Sequence, residues 1–145
     1  MGADPGHSSA VQAVVHWFGQ CDLVASGSRS DVEARLLPFA FEAGLLGVVH
    51  IVDDVARARE LSFLWWVSAG APRFLIAHGD PDHIVAPSDG QALHSALVRA
   101  GVASRFDLLG GAGNEEAEFD RPASLAMTAA WLRATLSRPA ASLRS

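Results

Sequence analysis

The 145-residue sequence contains one cysteine, Cys21, so no intrachain disulfide can staple it. It has no apolar run near the ~20 residues that a bilayer crossing requires; stretches such as 48–51 and 63–67 are far too short. A membrane partner is therefore not expected. No cluster of Lys or Arg interrupts a mildly acidic composition with a formal net charge of −5. Binding to a phosphate backbone needs a concentrated basic surface, so nucleic acid is not an expected partner either. Nothing before residue 11 has the basic start and apolar core of a secretory signal, which makes a cytoplasmic address the default expectation. No fixed-period repeat or low-complexity tract is visible. What remains is half hydrophobic and 19% charged. A chain of this size can bury about two-thirds of its unfolded surface in a single core without metal or disulfide.

The ends, residues 1–10 and 138–145, are small and polar, as frayed termini are. Between them the pattern reads as one α/β unit over residues 11–137. Val11, Val14, Val15, Trp17 and Phe18 form a β-branched and aromatic run without clean alternation, which predicts a strand covered on both faces and ended by Gly19. Residues 20–70 are punctuated by Gly27, Pro38, Gly44 and Gly47 and predict an irregular, mobile, lid-like insertion with short helices over 32–41 and 54–61. Residues 73–78 predict a second strand, stopped at Gly79. Ser88 is the expected N-cap of a helix that places Leu93, Leu97 and Val98 on one side and stops at Gly101. Residues 103–109 predict a third strand, 110–113 a tight loop, and Pro122–Leu136 a last helix with Leu125, Ala129 and Leu132 on one face. Strands separated by helices predict about three parallel strands between flanking helices, a three-layer sandwich fragment.

In such sheets the ligand and catalytic groups gather beyond the carboxyl ends of the strands, here on loops 19–22, 78–87 and 110–118. The second loop holds His78, Asp80, Asp82 and His83 within six residues, the densest ionisable group in the chain. Together with the exit Trp17-Phe18-Gly19-Gln20-Cys21-Asp22 and the stretch Leu109-Gly110-Gly111-Ala112-Gly113-Asn114, this loop resembles the C-terminal half of an α/β hydrolase. The likeness is to the carboxylesterases and feruloyl-esterase-like enzymes related to the prolyl-oligopeptidase family, and it runs from about residue 6 to about residue 136. It implies that Asp82, in an H-G-x-x-D-x-x-V setting, occupies the position of the triad acid, with Asp80 a neighbour. The acid of such a triad orients the catalytic imidazole and stabilises it when protonated. The same resemblance implies a histidine at the end of a G-A-G-H loop, where this sequence has Asn114. An amide does not titrate near neutrality and cannot act as the base.

The resembled family also has a G-x-S-x-G elbow between a strand and a helix upstream of the first strand seen here, and no stretch of this sequence supplies one. Gly6-His7-Ser8-Ser9-Ala10 matches it only in part and is followed by a predicted strand; Ser68-Ala69-Gly70 has Trp66 where the first glycine belongs. The expectation is a chain related to serine ester hydrolases, with a small ester as the ancestral substrate, that is inactive alone as a truncated or split product. Its first strand would sit at an open edge, which predicts self-association or an N-terminal partner half. Two alternatives stand beside this. One is a non-catalytic binding or oligomerisation module that uses Trp65 and Trp66. The other is a metal-dependent hydrolase in which His78, Asp80, Asp82 and His83 bind Zn or Mn, similar to the H-x-H-x-D-H element of metallo-β-lactamase-like enzymes. On the leading reading no metal or cofactor is expected. His16 reads as a hydrogen-bonded core residue, His78 and His83 as local structural groups, and Glu115, Glu116 and Glu118 as a solvated acidic loop.

Overall fold

The computed structural model describes residue 6 and residues 9–27, 44, 46–47 and 51–137. Three parallel strands pair in the order β1-β2-β3: β1 is Ala13–Trp17, β2 is Arg73–Gly79 and β3 is Ser104–Leu109. Parallel neighbours need helical crossovers, and the intervening segments supply them. Helix α1 (Leu23–Gly27) and helix α2 (Val55–Leu61) lie between β1 and β2, with 3₁₀ turns at Ile51–Asp54 and Phe63–Trp66. Helix α3 (Pro87–Arg99) joins β2 to β3, and helix α4 (Pro122–Leu136) follows β3.

Alternation along β2 separates the layers. Phe74 and Ile76 meet Leu93 and Leu97 of α3, with Phe106, Val102 and Cys21 completing that core. Ala77 faces the other way, against Ala112 and Phe119, with Trp17, Phe18 and Leu109 packed around them. Helix α4 covers β1 and β2 on this second face. The three-layer expectation therefore holds among the described residues.

Two expectations change. Residues of β1 are half-buried throughout, whereas Leu75–Gly79 of β2 are buried. The expected double coverage belongs to β2, because β2 is the central strand and β1 lies at the sheet edge. Helix α3 is not capped by Ser88: its N-cap is Ala86 and Pro87 opens it, a position where the missing N–H costs nothing and the fixed φ suits the helix. The helix expected over 54–61 forms, with the Asp54 carboxylate accepting from Arg57 N at 3.0 Å, while the one expected over 32–41 lies outside the described residues. The described parts of segment 20–70 also have a small core of their own, Leu23, Leu46, Ile51 and Ala58. Ser62 ties it together, its hydroxyl donating to Ala58 O at 2.6 Å and accepting from Leu23 N at 2.9 Å. No helix among the described residues is long and apolar enough to cross a membrane.

Candidate functional site

The chain leaves β2 at Gly79 and turns immediately, and Asp82 folds the turn. Its Oδ1 accepts from Ile84 N and Val85 N, both at 2.9 Å, as an aspartate bonded to backbone a few residues ahead does in loops. Its side chain is fully buried. Oδ2 faces two further groups, Asn114 Nδ2 at 3.0 Å and His78 Nε2 at 3.2 Å. The two positions singled out in the sequence, Asp82 and Asn114, thus meet across 32 residues of chain. The amide must present its nitrogen to the carboxylate, since its oxygen there would face another acceptor.

Several local features bring Asn114 to this place. Asp80 N donates to Leu109 O at 3.1 Å and Asp80 Oδ1 accepts from Gly111 N at 2.7 Å, which staples the exits of β2 and β3 together. Gly111 takes φ +79°, a turn conformation open to glycine. Phe18, at the exit of β1, holds φ +38°, a strained value for a bulky residue. Its N donates to Ala77 O at 3.0 Å, its ring meets Phe119 edge-on at 4.6 Å, and its carbonyl lies 3.5 Å from Asn114 Nδ2. All three strand exits therefore converge on the amide.

The four residues of the metal alternative do not converge. Asp80 is turned to Gly111, Asp82 is saturated by its loop and Asn114, and His83 is exposed. Among the described residues no group of three or more His, Cys, Asp or Glu side chains is placed to hold an ion. His78 has the local role expected of it. Its contact with Asp82 was not legible, because a spacing of four residues that runs from the end of β2 into a turn follows no periodicity rule.

The neighbouring groups are tied down. His16 Nε2 lies 2.9 Å from Gly19 O; burial pushes its pKa below the usual histidine value, the nearby His78 acts in the same direction, and the bond to Gly19 and the charge of Asp89 oppose them. Cys21 N donates to Asp89 Oδ2 at 2.7 Å, and its buried thiol lies 3.1 Å from Asp89 O. Burial first, and the Asp89 carboxylate second, raise the thiol pKa far above its usual range. Trp65 and Trp66 are 53% and 67% exposed, with their indole nitrogens near Asp22 Oδ1 and Glu60 O. Glu115 and Glu116 are solvated as expected, and Glu118 pairs with Arg121. A serine–histidine contact that sequence reading missed occurs elsewhere: His94 Nδ1 lies 2.9 Å from Ser104 Oγ. Ser104 opens β3, so the pair sits at the end of the sheet opposite Asp82.

The sequence model of the BD-FAE family matches residues 3–97, a span that includes Asp82 and stops before Asn114. No curated protein matches the chain. Among solved structures, a truncated carbohydrate esterase from gut microbiota is similar at 24% identity and TM-score 0.66, over 89% of this chain and 44% of that one. A bifunctional GH43-CE protein of Bacteroides eggerthii is similar at 22% identity and TM-score 0.75, over 90% of this chain and 16% of that one. A thermophilic esterase of Thermogutta terrifontis with propionate bound matches at 22% identity and TM-score 0.64, over 94% and 47% respectively. At these identities the likeness is one of fold, and this chain spans less than half the length of each of the three.

Proposed function

The chain belongs to the BD-FAE family of esterase-like proteins and carries part of the α/β-hydrolase fold, and we propose that it is the acid-bearing portion of a carboxylic-ester hydrolase whose proton relay is interrupted. One observation carries this reading: Asn114 Nδ2 stands 3.0 Å from Asp82 Oδ2, where the resembled family has its imidazole. A carboxylate in that relay holds the base in the right tautomer and stabilises its cation. An amide offers neither a titrating nitrogen nor a cation, so the Asp82–Asn114 bond joins two loops and transfers no proton. The 145 residues contain no G-x-S-x-G stretch, and the one serine–histidine contact described above lies far from this carboxylate. The ancestral substrate is a small ester, and this chain by itself does not turn it over.

The test is p-nitrophenyl acetate hydrolysis by the 145-residue chain, together with labelling by a serine-directed phosphonate read by intact mass and peptide mapping. Turnover at the buffer rate and no label are expected, and Asn114→His leaves both unchanged because it supplies no nucleophile. Stoichiometric labelling of a single serine would overturn the reading, and mapping would show whether that serine is Ser104. A second reading, a binding module, is favoured by the exposed Trp65 and Trp66, whose indole nitrogens lie near Asp22 Oδ1 and Glu60 O, with the Arg59 guanidinium over the Trp65 ring. The proposal also includes a partner at the outer edge of β1, either a second copy of this chain or a polypeptide with the remaining strands of the fold.

A further inference from the structure

We infer that His78 sets the direction of the Asp82 carboxylate and is thereby a positioning residue of the site; this rests on the reading of Asp82 as the acid. The imidazole is entirely buried, with Nε2 2.9 Å from Val85 O and 3.2 Å from Asp82 Oδ2. A carbonyl and a carboxylate only accept, so the ring hydrogen belongs on Nε2, where it is donated to Val85 O with Asp82 Oδ2 in close contact with the same nitrogen. Nδ1 has no partner and faces Gly90, where a β-carbon would come within 3.1 Å of it. All the bonding of the ring therefore runs through one N–H.

That N–H closes a circuit. Val85 is held on both sides, its N–H by Asp82 Oδ1 and its carbonyl by His78, so the loop cannot move without breaking both bonds. The carboxylate is divided as a result: Oδ1 serves the backbone, and Oδ2 is left to His78 and to position 114. The terminal torsion of an aspartate is broad and roughly two-fold, so the loop amides and the buried ring together fix its plane. A base at position 114 would meet an oxygen already aimed at it.

The experiment places an imidazole there. In Asn114→His, the new ring should show an Nδ1 proton bonded to Asp82, far downfield by NMR, and an imidazole pKa above that of the same variant carrying Asp82→Asn. Adding His78→Gln, which restores an N–H near the Nε2 position, should keep both signatures. Adding His78→Leu should lose the downfield proton and cut the proton affinity of the new ring by about tenfold, one pKa unit. If Asn114→His shows no rise over its Asp82→Asn control, the functional reading fails whatever His78 does. If the rise survives His78→Leu undiminished, the reading stands and the positioning role is overturned. Should His78→Leu not fold, the unsubstituted protein decides: nitrogen-15 shifts must report the Nε2–H tautomer of His78, with its proton moved by Asp82→Asn, and the Nδ1–H tautomer or an unmoved proton overturns the inference.

Discussion

Gly79 has no side chain because the exit of β3 passes directly over it. A β-carbon there would lie 1.9 Å from Ala112 O and 2.8 Å from Gly113 O, both backbone atoms that cannot rotate aside. Gly79→Ala must push loop 110–113 outward, and Asn114 leaves Asp82 with it. We expect a loss of about 3 kcal/mol in urea unfolding, at the upper end for overpacking; a variant that melts with its parent would show the loops to be loosely coupled. His16 gives a pH dependence. Its pKa is lowered in the folded state, so below about pH 6.5 the unfolded chain binds the proton first. Its contribution is complete above that value and declines as pH falls towards the folded pKa. His16→Gln keeps a donor for Gly19 O and should flatten this part of the urea midpoint's pH profile, and an unchanged profile would remove His16 as its source. At this scale the resemblance to the α/β hydrolases singled out Asp82 and Asn114, and the two side chains lie within bonding distance. Phe18 was not legible: a positive φ is anticipated at glycine or asparagine, and the strain at this phenylalanine comes from contacts distant in the chain.

Helix α3 illustrates what periodicity does and does not reveal. Leu93 and Leu97, four residues apart, are both fully buried as the pattern required, whereas Val98, expected on the same side, is 54% exposed. Gly90 lies within the helix, where alanine is intrinsically better by about 1 kcal/mol. Yet its β-carbon would come within 3.1 Å of His78 Nδ1, 3.2 Å of Phe106 and 3.3 Å of Ile76. His78 and Ile76 are fully buried and have no space to yield. The sign should therefore reverse: Gly90→Ala is expected to destabilise by about 1 kcal/mol, with a stabilised variant showing that the helix can lift off the sheet at no cost. The strands were legible by composition, and β1 was expected at an open edge, where it ends the order of the described strands; what its apolar run overstated was the coverage of its faces, which are only half-buried. Helix α1 escaped notice for a different reason. Five residues hold too little pattern, and its place is fixed by Ser62 bonding to Leu23 N from 39 residues away.

At the scale of the molecule, the described residues leave an apolar side bare. Strand β1 carries no residue of fixed charge, no strand pairs with its outer edge among the described residues, and α4, which packs beside it, buries none of its residues fully while exposing Leu125 and Leu136. Parallel sheets normally have both faces covered, and an unprotected edge is a template for another chain. The three solved structures of the same fold compared above are each about twice its length or longer. A chain with this side uncovered should associate reversibly, and sedimentation velocity across low micromolar concentrations should show a rising weight-average mass. Val11, two residues before β1 and 57% exposed, offers a probe that leaves the core alone. Val11→Lys adds the kind of charge by which natural edges resist pairing, so it should weaken association several-fold while the unfolding midpoint of the dilute protein stays within about 0.5 kcal/mol of its parent. A cooperatively melting monomer at every concentration, with Val11→Lys indistinguishable from it, would mean that α4 and the described loops already satisfy the edge and that no second polypeptide is needed to complete the sheet.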